Sequence, residues 1–340
     1  MPFDAEAFLG SWCRCPVRLR PLFGQLVRLS VGGHPSSSRL WLLAMVARAV
    51  NLRSVIASGA KVHPPSWMAD NLCYETMMGS IAYGVASDTS DVDVYGICMP
   101  PKDQVFPHLA GEIPGFGTPA KRFEVWQEHH VAAHRKTFDF QIYGIVRFFQ
   151  LAMENNPNIV DALFTPRRCV LSSTAVGEYI REHRVDFLHK GSWQKFKGYA
   201  YGQLHKIKTK APSGSRAELV AEFGYDVKFA YHVVRLLLEA EQILVARDID
   251  LERDREQLKA IRRGEWTLEQ LEQWAQDKER VLEGLYHAST IPYAVDEARI
   301  RRHLVHCLEM HYGDLSAAVV EPDEALRIIR TIAELTKNFR

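Results

Sequence analysis

The sequence predicts an α+β protein in which a small mixed-sheet segment precedes a mostly helical half. Asp91-Val-Asp-Val-Tyr95 alternates acidic and apolar residues, the period of a strand with one polar face, and Cys73-Tyr-Glu-Thr-Met-Met78 is a second β-like run. Beyond residue 170 the spacing turns helical over 174–183, 193–208, 216–247, 267–286, 295–312 and 321–335, punctuated by Gly191, Pro212-Ser213-Gly214 and Gly313. The expected division is a poorly defined extension over 1–44, a sheet-bearing domain over 45–170 and a helical domain over 171–340.

In chain order, residues 1–44 mix Pro, Arg and Leu without periodicity, and a short helix is expected over 38–50. Pro64-Pro65 interrupts the chain before the first strand. Residues 100–120 hold five prolines and three glycines and read as a long loop. One or two further strands are expected over 123–141, then a helix over 142–154 ended by Asn155-Asn156-Pro157. His129-His130 and His134 read as structural or surface residues, since neighbours on a strand point to opposite faces.

The 340 residues are 47% hydrophobic, enough for one large core or two modest ones. A formal net charge of +1 advertises no nucleic-acid partner, so any basic surface must be local. Six scattered cysteines without a CxxC pair argue against zinc and against a disulfide scaffold. The apolar run over 40–47 is too short to span a bilayer, and Asp4 and Glu6 stand where a secretory leader would be basic. The expectation is a cytoplasmic protein without membrane attachment.

The chemistry concentrates in Gly79-Ser80 and Asp91-Val92-Asp93. Carboxylates at i and i+2 of a strand share a face. Such a pair suits Mg²⁺, with Mn²⁺ as an alternative, and two ions would clamp the attacking and leaving oxygens of a phosphoryl transfer. Gly79 lets backbone approach a triphosphate, and the Ser80 hydroxyl can hold its terminal phosphates. Alone, an Asp-x-Asp is ordinarily two solvated acids and a Gly-Ser an ordinary turn; their combination after a strand favours a site. Asp139, between Phe138 and Phe140, is preferred over Glu124 and Glu128 as the third acid. It reads as metal ligand, as general base, or as the N-cap of the next helix.

Gly79-Ser-Ile-Ala-Tyr-Gly84 followed by Ser90-Asp-Val-Asp-Val-Tyr-Gly96 resembles the signature of the DNA polymerase beta superfamily. Asp139-Phe-Gln-Ile-Tyr143, Asn155-Asn-Pro-Asn-Ile-Val-Asp-Ala-Leu-Phe164 and Tyr225-Asp-Val-Lys-Phe-Ala-Tyr-His-Val-Val-Arg-Leu236 narrow the resemblance to the RNA-repair-pathway DNA polymerase beta family. The resemblance runs from about residue 45 to the C-terminus, and Met45 stands where such chains can begin. It implies a nucleotidyltransferase domain with an attached helical domain, a nucleoside triphosphate donor such as ATP, and Mg²⁺. By motif position it implies metal-binding and catalytic roles for Asp91, Asp93 and Asp139, and nucleotide contacts at Gly79, Ser80 and Ser90. RNA ends are its implied acceptor.

In the helical half, Lys228, His232 and Arg235 follow at spacings of four and three, one helix face. A cationic face can hold a triphosphate; it can equally be a solvated surface. Tyr199, Gln203 and Lys206 repeat that spacing earlier, with Lys190, Lys195, Lys197, Lys208 and Lys210 and the rings of Trp193, Phe196 and Tyr201 around them. Phosphate contacts plus stacking suit single-stranded RNA, with Tyr199, Gln203, Lys206 and Lys208 as contacts; core aromatics and solvated lysines are the other reading. The expected activity is transfer of NMP from an NTP to an acceptor hydroxyl, an RNA 3′ end, with pyrophosphate released. A protein or small-molecule acceptor, or a silent nucleotide-binding module, are the alternatives.

Overall fold

The structure is a computed structural model that describes residues 50–87, 90–109, 121–313 and Ile332. The expected extension over 1–44, nearly all of the helix expected over 38–50 and that expected over 321–335, Ile332 apart, lie outside the described residues. Those residues belong to one compact unit that begins at Arg48.

Among the described residues, five strands form one mixed sheet: β1 (Leu72–Met77), β2 (Val92–Cys98), β3 (Val125–Ala133), β4 (Lys136–Gly144) and β5 (Val170–Ser173). Their order is β3-β4-β2-β1-β5. β1 runs antiparallel to β2 and β5, β3 antiparallel to β4, and β2 parallel to β4. The expected α+β class holds, with a sheet that reaches past residue 170 because β5 pairs with β1. Four residues are too few to carry a readable alternation, and so this edge strand falls beyond the expected boundary. In the β3–β4 hairpin Ala133 pairs with Lys136, leaving His134 and Arg135 as a two-residue turn with φ of 48° and 62°. That backbone matches the strand twist, although glycine and asparagine usually supply it.

Around the sheet lie α1 (Leu52–Ala57), the single turn α2 (Gly79–Ala82), α3 (Lys102–Val105), α4 (Ile145–Met153), α5 (Pro157–Phe164) and α6 (Ala175–Glu182). α4 buries Ile145, Phe148, Phe149 and Ala152, one stripe at i, i+3, i+4 and i+7. Asn155-Asn156-Pro157 both ends α4 and starts α5: Asn156 caps the new helix by accepting from the Asn158 N–H at 3.2 Å, and Pro157 sits in its first turn.

The helical half comprises α7 (Ser192–Thr209), α8 (Ser215–Phe223), α9 (Val227–Ala246), α10 (Arg255–Arg262), α11 (Leu268–Ala288) and α12 (Glu297–Tyr312). The continuous helix expected over 216–247 is two helices. Gly224 takes φ +80° at the end of α8, and Asp226 caps α9 by accepting from the N–H groups of Lys228 and Phe229 at 2.9 and 3.2 Å. α9 is buried on nearly every side, against α7, α10 and α11.

One buried polar network fastens α9 to the sheet half. Arg235 is 5% exposed and donates to the Tyr83 hydroxyl at 2.6 Å, to Glu239 at 3.1 Å and to Asp161 of α5. Tyr83 in turn donates to Asp161 at 2.6 Å. Asp161 and Glu239 are 0% and 2% exposed, so the guanidinium is the compensation for two carboxylates taken out of water. Arg235→Met is therefore expected to lower unfolding stability by about 3–5 kcal/mol in urea titrations, and a loss under about 1 kcal/mol would show that the network is not a fastening.

Candidate active site

β1 ends directly at α2, and Gly79 makes the junction possible. It adopts φ +59°, and a Cβ placed there would lie 2.1 Å from Asp93 Oδ2. Any side chain at residue 79 would thus occupy the space of the Asp93 carboxylate. The Met78 N–H donates to the Asp93 carbonyl at 2.7 Å, which fixes the turn against β2. Ser80 is half-buried, and no described group bonds its hydroxyl.

Asp93 and Asp139 are paired residues of the parallel strands β2 and β4. Burial of their neighbours explains why both carboxylates share the opposite face: Val92 and Val94 are 8% and 0% exposed, Phe138 and Phe140 3% and 1%. Asp139 lies inside β4, and Gly144 occupies the cap of α4, so the helix-capping reading of Asp139 does not hold. Its Oδ1 accepts from the His130 N–H at 2.7 Å. Asp91 precedes β2 and is exposed.

These acids act on one another. Partial burial pushes the Asp93 carboxyl up to about 6, and the charges of Asp139 and Asp91 push in the same direction while His129 opposes them. The histidines lie at the surface as expected, but they do not face apart. A register shift between Glu128 and Val131, with His130 at φ +58°, breaks the strand alternation and brings both rings to Asp139. His129 Nδ1 is 3.6 Å and His130 Nδ1 3.9 Å from its oxygens.

The oxygen donors fit a hard divalent cation, since two repelling carboxylates, one of them raised by partial burial, gain most from such a charge. The expected convergence of three aspartates is not preformed: among the described residues no three His, Cys, Asp or Glu side chains stand together as a ligand set. Asp93 and Asp139 are the pair, with Asp91 in electrostatic reach. Few protein ligands, completed by phosphates and water, suit Mg²⁺.

The cationic face expected on α9 is redistributed. Arg235 is spent in the buried network described above and is no phosphate ligand, because i, i+3 and i+4 spacing does not distinguish a solvent face from a core face. Lys228 is half-buried in the first turn and makes no ion pair among the described residues. His232 is half-buried, and burial followed by Arg235, Arg216, Arg262 and Lys206 holds it well below the usual histidine range. Sequence reasoning missed Arg216 and Arg262, which reach this point from α8 and α10. Arg262 donates to the Val85 carbonyl at 2.8 Å and lies over Tyr231, which is in electrostatic reach of Asp93. Arg168 donates to the Ile81 carbonyl at 3.0 Å and pairs with Glu252 at 2.7 Å. The loop after α2 is thereby held from the helical side by Arg262, and the α2 turn by Arg168 of the sheet half, whose partner Glu252 lies in the helical half. Ser90 closes that loop, its Oγ accepting from the Ser87 N–H at 2.9 Å.

On α7 the stacking reading fails for Trp193 and Phe196, both 0% exposed. Tyr199 and Gln203 are half-buried, and the Tyr199 hydroxyl accepts from Asn156 at 3.1 Å. Lys195, Lys197 and Lys208 are paired with Glu154, Glu279 and Glu272 at 3.3, 2.6 and 2.8 Å. Lys206 is exposed and pairs with no carboxylate among the described residues.

A sequence profile of the RNA repair pathway DNA polymerase beta family matches residues 51–304, a span that contains every residue of this site. The chain belongs to that family. Membership in the RNA repair pathway DNA polymerase beta family points to a polymerase-beta-like nucleotidyltransferase with a nucleotide substrate. No curated protein is significantly similar to the chain. Among solved structures, a nucleotidyltransferase-like protein from Exiguobacterium sibiricum 255-15 aligns with 72% of this chain and 75% of its own, at 10% identity and a TM-score of 0.27. Among the described residues of this family member, no helix is long and apolar enough to cross a membrane.

The Asp93 environment has a measurable consequence. Its folded value near 6 lies above the ordinary 3.8, so both folded and unfolded states are protonated below about pH 4 and the destabilisation is absent there. It grows as pH rises and is complete above about pH 6. Asp93→Asn is expected to flatten that window and to stabilise the metal-free protein at pH 7.5 by on the order of 1–3 kcal/mol in urea. Added Mg²⁺ should raise the Tm of the parent protein and leave Asp93→Asn unmoved. Equal pH slopes for the two proteins would show that the paired acids do not interact as described.

Proposed function

We propose that the protein transfers an NMP group from a nucleoside triphosphate to an acceptor hydroxyl, releasing pyrophosphate, with an RNA 3′ end as the acceptor. The supporting observation is the Asp93–Asp139 pair packed against Gly79: two carboxylates in register, one raised toward 6 by burial and by the other, beside a turn that no side chain can fill.

Asp93 and Asp139, with Asp91, would hold Mg²⁺ or Mn²⁺, which when bound supplies charge neutralisation for the phosphates and the leaving pyrophosphate. The remaining work falls to the chain itself. The Gly79 turn admits the triphosphate backbone-close, and the unbonded Ser80 hydroxyl donates to a phosphate oxygen. Lys228 and Arg262 face the developing negative charge from the helical side, and neutral His232 can donate a hydrogen bond without competing for the proton. Asp139, fixed by the His130 N–H, orients the acceptor hydroxyl and accepts its proton as the P–O bond forms.

Incubation with a labelled NTP, Mg²⁺ and oligoribonucleotides of defined 3′ ends should give label in RNA, and Asp93→Ala should reduce incorporation by at least ~10²-fold. Label in a protein or a small molecule from a lysate would move the acceptor; unchanged turnover in Asp93→Ala would remove this site from the chemistry.

A further inference from the structure

A cavity of about 110 Å³ lies between the end of α7, the α7–α8 connection and the first turn of α9, lined by Lys206, Lys210, Arg216, Tyr225, Asp226 and Phe229 among others. Its charges are unusual for this molecule. The Phe229 ring has Lys206 at 5.9 Å, Lys210 at 5.7 Å and the Arg216 guanidinium at 4.1 Å from its centroid. The one acid there, Asp226, is committed: it pairs with Arg216 at 2.7 Å and caps α9. Three cations thus meet one carboxylate. Elsewhere α7 neutralises its lysines with glutamates, at Lys195, Lys197 and Lys208. Lys206 and Lys210 pair with no acid among the described residues.

Gathered, uncompensated cations call for an anion, and size says which part of it. Pockets that enclose a whole drug-sized ligand run from roughly 300 Å³ upward, so this one admits a phosphate group and not an entire nucleotide. Phe229 and Tyr225 are 7% and 5% exposed, which leaves no ring face for a base to stack on. The contact is therefore to phosphate and blind to sequence. Lys206 and Arg216 are also in electrostatic reach of His232 on the same helix α9.

We propose that this cavity seats a backbone phosphate of a single-stranded nucleic-acid acceptor, positioning the strand whose end enters the site. The proposal rests on the nucleotidyl-transfer reading but needs no turnover to test. Binding of a fluorescein-labelled oligoribonucleotide by anisotropy, without NTP and across a salt series, is compared between the parent protein and Lys206→Glu/Lys210→Glu. Both side chains are exposed, and matching thermal melts establish that the variant folds. The double variant should bind at least ~10-fold more weakly, equally for different base compositions, with the salt slope reduced by about 0.7, one single-strand phosphate contact. Mg²⁺–ATP affinity by calorimetry should change less than about threefold, and Lys195→Gln, which removes an already paired charge, should leave strand binding within about twofold. Unchanged strand affinity in the double variant, or no strand binding by the parent, overturns the proposal. So does a parallel loss of ATP affinity, which would assign the cavity to the donor, or competition by inorganic phosphate at concentrations that leave ionic strength constant, which would make it a site for small phosphates. Loss of incorporation in Asp93→Ala with strand binding intact would bear on the chemistry alone.

Discussion

The parallel pairing of β2 with β4 is the constraint on which the molecule's architecture turns. It sets two aspartates side by side at the same height of the sheet, a juxtaposition of like charges that opposes folding unless something positive is supplied. The register cannot relax it. A slip of one residue would carry Asp93 and Asp139 inward and Val92, Val94, Phe138 and Phe140 out to solvent, at the expense of the buried apolar surface. The hydrophobic face of two strands therefore holds the polar face in an arrangement it would not choose. Gly79 adds to this by letting the next segment close on the Asp93 carboxylate.

The helical half responds with the opposite charge, delivered in two ways that differ in kind. Arg235 is internal and structural: its partners Asp161, Glu239 and Tyr83 come from three elements, and its charge is consumed in joining them. Arg262, Arg216, Lys206 and Lys228 are peripheral and only partly answered. Tyr83 links the two levels, because the residue that ends the α2 turn is also bonded to the buried arginine. The position of the Gly79-Ser80 turn is thus set from below by β2 and from the side by α9 and Arg168.

Much of this was legible in the residues. Alternation found β2 and a β-like run found β1, and Asp139 was singled out because two phenylalanines flank it. Thr267 and Gln270 form a capping box at the start of α11, near where the helical spacing begins. The failures share a cause, which is that periodicity reports a local face and not what lies against it. Lys228, His232 and Arg235 have one spacing but three environments. A bulge at Glu128–Val131 is invisible in composition, so His129 and His130 read as strand neighbours facing apart. Residues 216–247 read as one helix since a glycine inside a helix costs only about 1 kcal/mol. Gly224 instead ends α8 in a left-handed conformation, and Asp226 two residues on starts α9.

That break at Gly224 matters beyond the reading of helices. Had α8 and α9 been continuous, Arg216 would project about three and a half turns from Phe229 along one rod. The turn at Gly224-Tyr225 folds α8 back, so Arg216 reaches Asp226 and lies on the Phe229 ring. The same turn opens the N-terminus of α9, with Asp226 spent on capping it, toward the lysines that end α7. One left-handed glycine thereby converts a basic stretch of sequence into a cavity lined by Lys206, Lys210 and Arg216 against the single carboxylate of Asp226.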